Sequence, residues 1–148
     1  MGLTWLGNES NLWSNPLNWD LGILPNQYDL VRFTSASSSA VIDAAFDGTI
    51  QSLALETGYT GTVTLARDLT VAHNVTLGGG TLAGGSHTLS VGGDWTASGG
   101  TFQANTSTAT FIDNRQRSTI AGNTTFYNFT STTPRKELAF EAGSTQTT

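Results

Sequence analysis

From Leu69 onward the chain repeats short apolar–polar–apolar triplets. Leu69-Thr70-Val71, Val75-Thr76-Leu77, Leu89-Ser90-Val91 and Ala109-Thr110-Phe111 each read this way. Such alternation puts the first and third side chains on one face and the middle one on the other, the mark of a half-buried strand. Successive triplets begin about six residues apart, and six residues of extended chain span at most roughly 20 Å. Each triplet with its turn therefore makes one side of a small coil. Gly78-Gly79-Gly80 and Ser98-Gly99-Gly100 supply the turns. No window carries the 3.6-residue periodicity of an amphipathic helix.

The same stretch superimposes on itself at a shift of 20. Leu69, Leu89, Ala109 and Phe129 fall in register, as do Val71, Val91 and Phe111, Val75 and Trp95, and Leu82 and Phe102. A less regular coil, Thr49 to Asp68, precedes them with Leu53, Leu55, Val63 and Leu65 as its apolar positions. One coil cannot bury its own apolar side chains, but stacked coils share a continuous core. The pattern predicts an all-β chain folded as a right-handed parallel β-helix (β-solenoid) of about 20 residues per coil. An antiparallel sandwich also uses short strands and turns, but it has no need of a fixed self-similar period.

Residues 4–33 differ in character and hold Trp5, Trp13 and Trp19. The segment reads Thr4-Trp5, then Trp13-Ser14-Asn15-Pro16-Leu17-Asn18-Trp19, then Gly22 and Pro25, then Asp29-Leu30-Val31-Arg32-Phe33. This resembles the opening of bacterial secreted and cell-surface β-helix proteins, the autotransporter-associated and giant exoprotein repeats. Leu89-Ser90-Val91-Gly92-Gly93-Asp94-Trp95-Thr96 and Thr125-Phe126-Tyr127-Asn128-Phe129-Thr130 resemble the repeats of the same proteins. The resemblance implies fold and export rather than an activity. A stack must hide its first coil's core and strand edge, and Trp5, Trp13, Trp19 and Phe33 are suited to that. The division expected is a capping segment over 1–40 and coils over 41–148. The alternative role for the tryptophans is a platform for sugar rings.

Composition fits many short strands. Charged residues are 11%, against roughly 25% in an average protein, and Thr, Ser, Gly and Asn take their place. Net charge is −5 and the six Lys and Arg are scattered, so no broad basic face exists for nucleic acid. Cysteine is absent, which removes disulfides and thiolate chemistry. No run reaches the roughly 20 apolar residues of a membrane helix. No signal-peptide pattern comes after Met1, and Glu141–Thr148 ends without a closing element. The sequence reads as a segment of a longer exported chain, secreted or at the cell surface.

Candidate chemistry is sparse. There is no G-x-S-x-G elbow, and His73 and His87 occupy different places in the 20-residue frame, so they form no zinc set or base pair. Asp94 and Asp113 fall at neighbouring frame positions on adjacent coils, whereas Asp43, Asp47 and Asp68 are spread out. No calcium-loop pattern is present. Asn74, Asp94 and Asn114 share one frame position and suggest a polar turn ladder, with calcium at Asp94 as the lesser reading. Thr70, Ser90, Thr110 and Thr130 should form an outward row, flanked by Thr88 and Thr108, similar to the flat Thr arrays of ice-binding solenoids. The expectation is a structural or adhesive scaffold without catalytic residues, cofactor or metal. The alternatives are a carbohydrate-binding module, a polysaccharide lyase or hydrolase fragment, and an ice-binding surface. The partners expected are a glycan or cell-surface ligand, or a second copy paired through open C-terminal strand edges.

Overall fold

The computed structural model describes residues 1–148. After strand β1 (Gly2–Thr4) and an irregular excursion, the chain winds in three-sided coils. One coil holds β2 (Leu30–Phe33), β3 (Ala40–Ile42) and β4 (Thr49–Ile50), and the next β5 (Ser52–Leu55), β6 (Thr62–Leu65) and β7 (Leu69–Val71). Then come β8 (Val75–Leu77), β9 (Thr81–Ala83) and β10 (Thr88–Val91), followed by β11 (Trp95–Ala97), β12 (Thr101–Gln103) and β13 (Thr108–Phe111). The last strands are β14 (Arg117–Ala121), β15 (Thr124–Thr125), β16 (Asn128–Thr130), β17 (Glu137–Phe140) and β18 (Gln146–Thr147).

Each side stacks into a parallel sheet. The first has seven strands in the order β1-β2-β5-β8-β11-β14-β17. The second runs β3-β6-β9-β12, and the third β4-β7-β10-β13-β16. β15 lies beside β12 and pairs with β18. The chain is thus a parallel β-solenoid of about six turns. The expected columns are present: Leu69 pairs with Leu89, Leu89 with Ala109, and Ala109 with Phe129, while Val91 sits between Val71 and Phe111.

The step is not always 20. Val31 pairs with Leu53 and Leu53 with Val75, 22 positions on each time. Trp95 pairs with Ile120, 25 positions on. The passage from Phe111 to Ile120 takes nine positions where Val91 to Trp95 takes four, an excess of five. The following side, Ile120 to Phe129, takes nine where Trp95 to Ala109 takes fourteen, so the third sheet regains its step of 20. The coil has lengthened one corner and shortened the next side by the same amount.

One apolar cluster runs the length of the stack. Its middle is aliphatic, with Leu53, Leu55, Val63, Leu65, Leu69, Val71, Val75 and Leu77 buried. Both ends are aromatic. Corners must let neighbouring coils approach to strand spacing, ~4.8 Å. At Gly92 and Gly122 a Cβ would strike the carbonyls of Ala72 and Ala97 on the coil beneath, and Gly122 also has φ +79°. Only glycine suits such positions.

β1 and β2 lie within residues 1–40 yet belong to the first sheet. The irregular part of the cap is therefore the excursion between them, which folds under the stack. Trp5 and Trp13 are completely buried and Trp19 is 2% exposed. Trp19 meets Trp5 and Trp13 edge-on at 5.1 and 5.2 Å between ring centroids, and Trp13 stacks over Phe33 at 6.1 Å. Asn18 ties the excursion together. Its Oδ1 accepts from Glu9 N and Ser10 N, and its Nδ2 donates to Ser10 Oγ and Leu12 O. All four capacities of a buried amide are filled. At the far side, Asp43 Oδ1 accepts from Ser14 N at 3.0 Å. Burial raises the Asp43 pKa, but hydrogen bonds from Ser14 and from the backbone of Asp43 and Ala45 together outweigh it and leave the carboxyl below its ordinary range.

Candidate functional site

The outward row proposed from sequence is a real column. Thr49 pairs with Thr70, Thr70 with Ser90, Ser90 with Thr110 and Thr110 with Thr130. Beside it Thr88 pairs with Thr108 and Thr108 with Asn128. Asp68 extends this second row, its Oδ1 accepting from Thr88 N at 2.8 Å, and Asn128 Nδ2 donates to Thr108 Oγ1 at 3.3 Å. Thr62, Thr81 and Thr101 make a similar outward row on the second sheet, and Thr76 and Thr96 pair on the first. Thr thus occupies outward strand positions on all three faces, as its β-branched shape favours.

The turn ladder is present with one member changed. Asn74 N donates to Ser52 Oγ at 3.3 Å, Asp94 N to Asn74 Oδ1 at 2.9 Å, and Thr119 N to Asp94 Oδ1 at 2.8 Å. Each side chain receives the backbone N–H of the coil above. Asn114 is not a rung. The lengthened corner carries it out of the frame, and its Nδ2 donates to Pro134 O at 3.0 Å.

Asp94 and Asp113, weighed for catalysis, are both hydrogen-bonded within the chain. Asp113 accepts from Gln116 Nε2 at 2.7 Å and from Arg115 N and Nε, both at 3.1 Å. The bonds from Gln116 and then Arg115 pull its pKa down to about 2. Asp29, 2% exposed, faces the Met1 amino group at 3.4 Å. His87 Nδ1 lies 3.7 Å from Asp68 Oδ1, and His73 is exposed on another corner. No three His, Asp or Glu side chains cluster as metal ligands would.

Sequence inspection did not single out Lys136. Its Nζ donates to Gly92 O, Gln116 O and Asp113 O at 2.9, 2.8 and 3.2 Å. Burial lowers its pKa, opposed by the charges of Asp113 and Asp94. The ammonium thus occupies the place between the two carboxylate-bearing corners and pins the lengthened corner to the coils on either side. Nothing in the local sequence announces this, because the partners lie 20 to 44 residues away.

With all three cap tryptophans buried, none presents a face to a sugar. The surface is indented instead by a cleft of about 480 Å³ lined by Asn26, Gln27, Tyr28, Asp47 and Thr49. It lies where the 26–28 turn meets β4 at the start of the Thr column. No helix is long and apolar enough to cross a membrane. In comparisons with known proteins the chain matches no family model, no curated protein and no solved structure.

Proposed function

We propose that the chain is a non-enzymatic scaffold, a rigid structural or adhesive segment of a secreted or cell-surface protein. The observation that carries this reading is the unbroken first sheet, parallel from Gly2 to Phe140 over seven strands. A stack at ~4.8 Å per coil with one interlocked core holds its two ends at a fixed separation. The polar side chains support the same reading, since Ser52, Asn74, Asp94 and Lys136 are all engaged in joining coils. Deleting one repeat, residues 69–88, should shorten the particle by about 5 Å in small-angle scattering and leave it folded. Incubation with uronate polymers should release no product. A variant that unfolds, or any unsaturated or reducing-end product, would contradict the scaffold reading.

For a chain that ends at Thr148, a second copy is the partner its C-terminal coil supports. The outer edges of β16, β17 and β18 are unpaired, and Phe140 is 55% exposed. Free edges and exposed aromatics recruit strands. On the N-terminal edge, Asp20 occupies the outward N–H and carbonyl of Thr4. Head-to-tail growth is thereby disfavoured, and the contact would join two C-terminal ends in a closed, two-fold dimer. The Thr row on the third sheet supports ice binding only as a lesser reading, tested by thermal hysteresis of the purified protein.

A further inference from the structure

We propose that the cleft between residues 26–28 and 47–49 is a binding site for a neutral glycan, with one sugar ring lying against Tyr28. The ring of Tyr28 is offered to solvent, the residue being 69% exposed, yet its backbone is fixed. Tyr28 N donates to Asn26 Oδ1 at 2.9 Å and Tyr28 O accepts from the Met1 amino group at 3.2 Å. Asn26 N in turn donates to Oδ2 of the buried Asp29 at 3.0 Å, and Asp29 N donates to Asn26 O at 3.0 Å. Pro25, just before this turn, is buried.

The opposite wall is fixed as well. Thr49 N donates to Asp47 Oδ1 at 3.1 Å. Phe46 is buried at the root of the turn, and Arg67 Nη1 donates to its carbonyl. A site whose backbone is ordered beforehand spares that part of the ordering cost on binding.

What remains unpaired in the cleft is specific in kind. Asn26 Nδ2, the Gln27 amide, the Tyr28 hydroxyl, Asp47 Oδ2 and Thr49 Oγ1 form no hydrogen bond within the chain. Together they offer donors and acceptors beside one aromatic face. A pyranose has the matching chemistry, with hydroxyls at its rim and C–H groups on its faces.

Charge selects among sugars. No Lys or Arg lines the cleft, and Asp47 contributes a carboxylate. Uronates and phosphosugars would meet a like charge. A quaternary amine is recognised by an aromatic cage, and here there is a single ring with idle amides. The Thr column adds direction. Thr49 belongs to the cleft and pairs with Thr70, which leads to Ser90, Thr110 and Thr130. A glycan longer than one residue could continue along these outward hydroxyls.

The test is backbone-amide NMR of the whole chain. It would be titrated with neutral hexasaccharides of glucose, mannose, xylose and galactose, alongside hexagalacturonate and tetramethylammonium. At least one neutral series should shift the amides of Gln27, Tyr28, Asp47 and Thr49, with hexagalacturonate binding at least about tenfold more weakly. Loss of one ring-stacking contact corresponds to about tenfold in affinity. Tyr28→Ala should therefore bind about tenfold more weakly with an unchanged melting temperature, because its side chain supports nothing buried. Three results would each overturn the proposal: no neutral series moving these amides at about 10 mM, Tyr28→Ala binding like the parent, or tighter binding of either charged probe. None of these bears on the scaffold reading, which is decided by particle length and product release.

Discussion

At the N-terminal end of the stack, Asp20 Oδ1 accepts from Thr4 N and Asp20 N donates to Thr4 O. Thr4 is thereby denied to any incoming strand. Beneath it, three buried tryptophans close the apolar column. At the C-terminal end, Phe129 packs on Phe126 and Phe140 at 5.0 and 6.1 Å, yet Phe140 remains 55% exposed and β17 has a bare edge. Both ends are rich in aromatic residues, so aromatic content alone does not close a solenoid. The difference lies in the polar groups. The cap has Asn18 filling four hydrogen-bonding positions and Asp20 plugging the ladder, and the last coil has no counterpart to either.

The largest effect that would break this contrast is at Trp13. Trp13→Ala should cost about 3–5 kcal/mol, and Phe140→Ala less than about 1 kcal/mol, both read from urea unfolding midpoints. Equal losses would mean that the two ends are closed to the same degree. Next is Asn18→Ala, expected to cost about 2–3 kcal/mol by leaving the Glu9 and Ser10 N–H groups without their partner. A loss under about 0.5 kcal/mol would show that the cap is held by its rings alone. Phe140→Lys should change stability by no more than about 0.5 kcal/mol while removing any concentration-dependent association seen by light scattering. Persistence of association would place the contact elsewhere.

The smallest effect concerns pH. Tyr59 packs against Phe33 at 5.2 Å, and its hydroxyl donates to Ser38 O at 3.1 Å. Burial pushes its pKa up to about 12, partly countered by a hydrogen bond with Ser39. In the unfolded chain a tyrosine ionises near 10. The protonated folded form therefore stabilises fully below about pH 10, and that contribution is lost as pH rises from about 10 to 12. Tyr59→Phe should flatten this alkaline slope in urea midpoints. An unchanged slope would show that Tyr59 ionises as freely in the fold as outside it.

The columns through Leu69, Leu89 and Val91 were legible in the sequence because stacking in register demands like residues at a constant step. The cap tryptophans were legible because large rings in a polar, strand-rich chain need a core. The misplacement of Asn114 came from assuming that constant step across the corner after Phe111. A coil can lengthen a corner and shorten the next side, and only the pairing of Trp95 with Ile120 reveals that it has. Likewise the pairing of β1 with β2 spans the whole cap excursion, beyond any local periodicity. Lys136 and the Tyr28 cleft were illegible for the same reason, since each is assembled from different coils.

Residue-resolved native-state hydrogen exchange tests the contrast between a sealed and an open end most directly. Amides of β2 and β5, such as Val31 and Leu53, should exchange only through global unfolding. Protection should fall along the first sheet towards β17, where Ala139 and Glu141, whose N–H groups face β14, should exchange by local opening at far lower free energy. Protection at Ala139 and Glu141 equal to that at Leu53 in the dilute monomer would contradict it.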